Sequence, residues 1–456
     1  MRTEYAEVVI VGTRCAGTAA AIEFARAGRR VIGLDSGRFP SDTLSTHLLW
    51  PTGVAELAAL GALERVLALG APKLHTAFAG GAGYAVRTDF APVGGVNYAL
   101  CVRRSGLDAA LVSTARDHGA DLREGALVTE LIHERDRVAG VRYRDRGGVL
   151  TEVRAPLVIG ADGRRSTVAR LVGAQTPYRD APSGRACYFG YWHDAHPGQR
   201  GIAAQWRSGD LLGTAFPCDG DLVLCLIQPP IERAERGVRA AEPLYRNFIA
   251  EIPELAARLR DCTPAGRVRT AFDLVSYFRR SSGPGWALPG DAGHFKDPIT
   301  AQGIRDALRY GGLLARAAAP VLDDPVALDA ALLGWERQRE LDCLPIYQWT
   351  NRLARGAAMT PLEVELYRAA DADPGLAARV LEVMTRVRPP EQMLPLRVSA
   401  QLAARAVRRH APVPVAHTLV RELLDTATEH HQRLRARWDG LPPLPARTDT
   451  AVGSPS

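Results

Sequence analysis

The chain offers little from which to build a metal site or a disulfide framework. Its seven cysteines (Cys15, Cys101, Cys187, Cys218, Cys225, Cys262 and Cys343) are an odd number, with no C-x-x-C pair and no histidine at a metal-binding spacing. They read as free thiols of a reducing cytoplasm, and no metal is expected. Met1 leads straight into a charged segment and a short strand, with neither the basic stretch nor the apolar stretch of a secretory leader. No run approaches the roughly 18 uninterrupted apolar residues of a spanning helix, because even the Ala-rich stretches are broken by Arg, Asp or Pro. The expectation is a cytoplasmic protein without a membrane span. The sequence contains no internal repeat.

At 456 residues the chain exceeds one ordinary core, so two joined domains and a helical C-terminal portion are expected. A content of 46% hydrophobic and 23% charged residues is that of soluble globular proteins and excludes a disordered chain. The formal charge of +7 comes from arginines scattered among acids, not from a basic stripe, so nucleic acid is not an expected partner. A diffuse positive field does favour anionic cofactors, modestly and in a salt-dependent way. These bulk properties leave the oligomeric state open.

The expected fold class is α/β. Glu7–Val11 reads as a buried strand, residues 12–17 as a turn, the Ala-rich stretch to about Ala27 as a helix ended by Gly28, and Val31–Asp35 as a second strand. That is one βαβ unit with a parallel sheet. The first domain spans 1–177, with an excursion at 42–102 that holds one helix near Val54–Leu69 and glycine turns at Ala79–Gly83. Residues 178–280 carry short β-rich runs and form a sheet domain. Residues 281–320 return to the first domain, 321–438 are helical, and 439–456 are a Pro/Ser/Thr-rich tail expected to be disordered.

Three separated motifs carry chemistry. In the first, Gly12-Thr13-Arg14-Cys15-Ala16-Gly17, a dinucleotide loop needs its first glycine for the tight turn and its third for close packing of helix on strand. Gly12 and Gly17 fill those places, while Arg14 stands where the second glycine is usual and must point away from the path of a pyrophosphate. The helix N-terminus favours phosphate charge, and Asp35, ending the next strand, can accept from ribose hydroxyls. The second motif, Ala161-Asp162-Gly163 with Ser166 following, reads either as a tight turn that a dinucleotide approaches or as a capped helix start. The third is Gly290-Asp291-Ala292-Gly293-His294, then Asp297-Pro298-Ile299-Thr300-Ala301-Gln302-Gly303. A carboxylate after a glycine can bond polyol hydroxyls, and small residues before a helix let backbone N–H groups approach a ring edge where negative charge gathers.

In this order and at these separations, the three motifs resemble the class A flavoprotein monooxygenases, with their dinucleotide loop, DG motif and GD motif. The resemblance implies a Rossmann-like FAD-binding domain, a β-sheet substrate domain and FAD as cofactor. It implies that Gly12, Arg14, Ala16, Gly17 and Asp35 hold the ADP portion, that Asp162 and Gly163 lie near the pyrophosphate, and that Gly290 and Asp291 meet the ribityl chain. Pro298, Gln302 and Gly303 would border the isoalloxazine, and Arg104, in Arg104-Ser105-Gly106-Leu107, would lie beside FAD. The stretches Ser41–His47 and His294–Ile304, with Arg14, further resemble a bacterial branch of FAD-dependent oxidoreductases associated with natural products.

A flavin hydroxylation needs little from side chains beyond positioning and a dry pocket. With no second dinucleotide loop, NAD(P)H is expected only as a transient reductant. The expected activity is that of an FAD-dependent oxidoreductase or monooxygenase acting on a small hydrophobic molecule of polyketide type. A second reading is a [4+2] cyclase of the same fold, in which FAD is structural and catalysis is proximity. A halogenase is a weaker reading, since the W-x-W-x-I-P element and paired lysines are missing. His47 and His294 are candidate proton carriers. Trp50, Tyr188, Trp192, Trp206, Phe216, Phe272, Tyr277 and Trp349 are candidate pocket residues.

Overall fold

The computed structural model describes residues 2–444. At its centre is a sheet in the strand order Ser282–Gly283, Trp286–Ala287, Leu157–Gly160, Val8–Val11, Val31–Asp35, Asp121–Glu124. Val8–Val11 pairs in parallel with strands on both sides and is wholly buried. Such a strand reads as a continuous apolar run because both faces are covered. Val8 and Ile10 point toward the helices Cys15–Arg26, Arg104–Asp117 and Gly303–Ala318, whereas Val9 and Val11 point toward a smaller sheet. That sheet has the order Arg2–Tyr5, Leu150–Arg154, Arg137–Arg144, Leu127–Glu134.

The second large sheet runs Thr263–Pro264, Cys187–His193, Leu222–Gln228, Leu211–Cys218, Ile202–Ser208, Thr76–Gly81, Tyr84–Asp89, with Arg269–Ala271 beside Cys187–His193. One face is covered by the helices Val238–Ala250 and Pro253–Arg258, and the other by Pro361–Ala372 and Pro374–Met384. The excursion therefore supplies strands to this sheet, and the glycine stretch is only partly turn. Gly80 and Gly81 lie inside the strand, where an added Cβ would stand 2.6 Å from the Trp206 ring and 2.9 Å from the Tyr367 ring. Ala82 and Gly83, both at positive φ, make the turn. A strand glycine here marks a close approach by an aromatic side chain.

A three-stranded sheet of Arg179–Pro182, Val275–Phe278 and His294–Phe295 stitches the two units together. Its strands lie on both sides of the boundary expected at 280/281. The stretch expected as a single helix near Val54–Leu69 is broken: Pro51–Ala59 and Leu63–Leu67 are separated at Gly61 (φ 71°), and in the sheet domain Val238–Ala250 and Pro253–Arg258 are likewise two helices, the second starting at a proline. The C-terminal region is helical at Pro325–Leu353, Pro361–Ala372, Pro374–Met384, Leu396–Arg409 and Pro412–Trp438. Of the expected tail, residues 445–456 lie outside the described residues, while the Pro442 carbonyl accepts from the Arg280 guanidinium. All seven cysteines are buried and unpaired. Among the described residues no helix is long and apolar enough to cross a membrane.

Candidate functional site

The turn after Val8–Val11 is tight enough to require its glycines. Gly12 has φ 89°, and a Cβ there would meet the Ala161 carbonyl at 2.6 Å. A Cβ on Gly17 would lie 1.9 Å from the Gly12 carbonyl oxygen, and one on Gly311 would lie 2.4 Å from the Ala16 carbonyl. The helix Cys15–Arg26 is thus wedged between the strand and the helix Gly303–Ala318, with its N-terminus at the loop. Asp35 accepts from the Thr13 and Gly37 backbone N–H groups, each at 2.8 Å and on different oxygens. Oδ2 also accepts from the Thr13 hydroxyl at 3.4 Å, so Oδ1 is the oxygen that retains a lone pair for a further hydroxyl.

The Arg14 side chain reaches to the Arg104–Asp117 helix and to the Ser41 segment. Its guanidinium donates to Asp108 at 2.5 Å and to the Ser41 hydroxyl at 2.9 Å, and lies 5.5 Å from the Phe39 ring centroid. Arg104 grips the same carboxylate in a fork, at 3.0 and 3.1 Å. Asp108 is fully buried and joins the loop to the R-x-x-L segment. Sequence reading missed it, although its place four residues after Arg104 on one helix was the available signal. Burial pushes the Cys15 thiol up to about 12, so this loop cysteine stays protonated and unreactive.

Asp162 serves the capped helix start. Its carboxylate accepts from the Ser166 hydroxyl at 2.5 Å and the Thr167 N–H at 2.7 Å, while Ser166 accepts from the Ala169 N–H at 2.9 Å. Burial raises the Asp162 pKa despite these bonds. What remains open to a ligand is Gly163, at φ 78° with nothing within 4 Å of where a Cβ would stand.

The segment after Trp286–Ala287 combines an unpaired carboxyl with an uncapped helix. The Asp291 backbone carbonyl accepts from the Tyr277 hydroxyl at 2.5 Å, but its carboxylate has no hydrogen-bond partner among the described residues. Burial raises its pKa, opposed by Arg164, Arg104 and Lys296. Gly290 has φ 63°, and its Cβ would stand 2.9 Å from that of Ala16, so this turn abuts the first loop. Pro298–Thr300 is a single tight turn, Ala301 has φ 52°, and Gln302 begins the helix Gly303–Ala318 without a side-chain cap. The Gln302 amide donates to Thr300 O at 3.0 Å and to Met384 O at 2.7 Å, leaving its buried Oε1 unpaired.

His294 is committed to structure. Its Nδ1–H donates to Tyr277 O at 2.9 Å and its Nε2 accepts from Lys296 Nζ at 2.9 Å. Burial, then Lys296 and Arg339, hold its pKa well below the usual imidazole range. Lys296 also donates to Asp306, whose carboxyl is kept well below its ordinary range by Lys296, Arg386 and Arg305 against the opposing effect of burial. His294, Asp306 and Cys343 bring ligand-type atoms within 4.8 Å of one another, and the Lys296 ammonium bonds the first two of them. A tethered cation already satisfies this cluster.

His47 is different. At φ 57° and 2% exposed, it shares a hydrogen bond with the Tyr191 hydroxyl through Nε2. Its Nδ1 is buried without a partner. Burial, then Arg104, Arg103 and Arg269, push its pKa down to about 3, while burial raises that of Tyr191. A buried ring nitrogen without a partner is an unmet hydrogen-bonding group.

An apolar cavity lies between the second sheet and the helices Pro361–Ala372 and Pro374–Met384. Trp50, Phe78, Phe216, Tyr367, Leu381 and Met384 line it; Thr88, Gln205 and Tyr367 supply the polar groups, and no charged side chain does. Trp349 packs in the cluster that contains Trp50 and Phe216. Tyr188, Trp192, Trp206 and Phe272 are not in the cavity. They pack on the opposite face of the sheet against Tyr245, Phe248 and Ile252, as the two-residue period of a strand requires once Ala203 and Gln205 face inward. Tyr277 sits at the Asp291 turn instead. Sequence reading missed the roof, Tyr367 to Met384, because its residues sit at helical spacing that reads equally as ordinary core.

Fold and site together define a dinucleotide-binding flavoprotein. The glycine cradles, the free Asp291 carboxylate, the orphaned Gln302 Oε1 and the uncapped helix N-terminus fit a flavin dinucleotide in shape and in hydrogen-bonding need. Residues 5–195 match the FAD binding domain family. The chain is 30% identical over 336 residues to menaquinone reductase of Mycobacterium tuberculosis (strain ATCC 25618 / H37Rv), covering 70% of this chain and 76% of that protein. Among solved structures it is similar to a flavoprotein/dehydrogenase from Cytophaga hutchinsonii (TM-score 0.72, 19% identity, 84% of this chain and 93% of that one). It is similar also to PqsL, a probable FAD-dependent monooxygenase from Pseudomonas aeruginosa (TM-score 0.64, 22% identity, 81% and 97%). The chain belongs to the FAD-binding family of class A flavoprotein monooxygenase type, and it is an FAD-dependent oxidoreductase.

Proposed function

We propose that this enzyme acts on a hydrophobic, chain-like small molecule, of the polyketide-intermediate kind, held in the apolar cavity beside its flavin. The observation that carries the reading is the direct linkage of cavity to flavin-end segment. Trp50 Nε1, of a residue that lines the cavity, donates to Thr300 O at 3.0 Å, and the Gln302 amide donates to the carbonyl of Met384, another lining residue.

In this reading Gly12, Gly17 and Asp35 hold the ADP portion, with Ala16 packing the helix against Gly311. Gly163 lets the pyrophosphate approach, and Asp291 accepts from ribityl hydroxyls. Pro298, Gln302 and the N–H groups at Gly303 border the ring. Arg14 and Arg104 act through Asp108, fixing the loop. FAD, when bound, supplies two-electron transfer and oxygen activation, with NAD(P)H as a transient reductant. Tyr191, hydrogen-bonded to a neutral His47, keeps its proton, because burial raises its pKa, and so serves to position rather than to donate.

A [4+2] cyclisation remains a second reading, favoured by the uncharged cavity lining: folding a polyene there would need proximity alone. The deciding experiment uses the pathway intermediate under anaerobic conditions, with native FAD or a redox-inert deazaflavin. Consumption that requires NAD(P)H and native FAD supports the oxidoreductase. Product formed without either, and with deazaflavin in place, assigns cyclisation.

A further inference from the structure

The last helix, Pro412–Trp438, presents two unlike faces. Its inward acids are matched by the long helix Pro325–Leu353 and the residues after it: Arg352 bonds Glu422 and Glu429 at 2.7 and 2.6 Å, and Arg355 bonds Asp425 at 2.6 Å. The outward face carries Val413, Val420, Leu424, Ala427, Leu434 and Trp438, with His417 and His431 completing alternating steps of four and three residues. Val413, Leu424 and Trp438 are 77%, 64% and 81% exposed. Steps of four and three keep one side of a helix in register, so this is a largely apolar stripe interrupted by two histidines. At 1.5 Å per residue it runs for roughly 40 Å.

The charges beside the stripe decide what it fits. The outward flanks hold Arg421, Arg435 and Arg437, of which Arg435 pairs with Asp439 at the helix end at 2.8 Å. The preceding helix, Leu396–Arg409, has four arginines and no acid, and exposes Leu396 and Val407. A second copy of the helix laid on the stripe would oppose arginine to arginine. An anionic lipid surface satisfies both features at once, because acyl chains take the apolar stripe, headgroups take the arginines, and a Trp at the end sits well at the interface. The helix is already folded and tied to the body, so no ordering opposes docking.

We propose that the outward face of Pro412–Trp438 is a peripheral docking surface for anionic bilayers. The surface adjoins the helical region that roofs the apolar cavity. It stands on exposure, spacing and charge alone, and does not depend on the substrate reading.

The test is flotation of the flavin-loaded full chain with vesicles of phosphatidylcholine alone or mixed with phosphatidylglycerol, alongside sedimentation without lipid. Expected is flotation with the mixed vesicles only, weakened by salt. Leu424→Glu should abolish it, and Arg421→Glu should weaken it on the order of tenfold, both with unchanged flavin content and melting temperature. Arg421→Lys should retain it. Absence of flotation by the wild type, or flotation unaffected by Leu424→Glu, overturns the proposal. A dimer broken by Leu424→Glu, with no flotation, assigns the stripe to a second copy and overturns it equally.

Discussion

At the scale of single residues, Asp108 holds two arginines, Arg14 and Arg104, by hydrogen bonds in a fully buried position. Asp108→Ala leaves both guanidinium groups without their carboxylate. The expected loss is about 3–5 kcal/mol, the usual consequence of breaking a buried pair by removing one partner. Chemical denaturation checks it, and flavin content should fall with it. Gly17→Ala drives a Cβ into the Gly12 carbonyl. It should cost about 3 kcal/mol or prevent flavin retention, seen as loss of visible absorbance in the purified protein. His47 gives a pH signature. Its folded pKa is about 3, against an unfolded value near 6.5. Between these limits the unfolded chain takes up a proton that the folded one refuses, so stability falls as pH drops from about 6.5 toward 3, by up to about 1.4 kcal/mol per pH unit. Asp162, Asp291, Asp297 and Glu340, raised by burial, act in the opposite sense. The difference between wild type and His47→Gln isolates the histidine. That difference should widen on acidification; parallel stability curves for the two proteins would contradict the assignment.

At the scale of elements, the opening βαβ unit was legible because continuous apolar strands and a glycine loop have one local meaning. The ambiguity at Asp162 was legible as well, since an acid before Ser166 can cap a helix or face a ligand, and the structure uses it as a cap. The strand Thr76–Gly81 was obscured by Gly80 and Gly81, whose reason is the rings of Trp206 and Tyr367 packed over them, far away in the chain. The aromatic candidates divided by sheet face. Strand period tells which residues share a face but not which face meets the cavity, so Trp206 was indistinguishable from Phe216 until the helices were placed. The helices Pro361–Ala372 and Pro374–Met384 make the cavity by covering that face. Ala377, on its roof, is small and buried. Ala377→Trp should fill the cavity, leave flavin content unchanged, and raise the KM for the substrate at least tenfold, measured by steady-state kinetics.

At the scale of the molecule, two units are fastened by the small sheet that pairs Val275–Phe278 with both Arg179–Pro182 and His294–Phe295. The Asp291 turn is anchored to that sheet through Tyr277, and the sheet domain carries the cavity. Motion of one unit against the other would therefore shift the flavin-end segment relative to the cavity, which couples binding in one to alignment in the other. The most direct test of this account is an anaerobic titration of the oxidised holoenzyme with a C20 isoprenoid alcohol as an apolar probe, following the visible spectrum of the bound flavin. The account predicts a saturable spectral shift in the wild type that Ala377→Trp abolishes while its flavin content stays intact. An absent shift, or the same shift in both proteins, would contradict it.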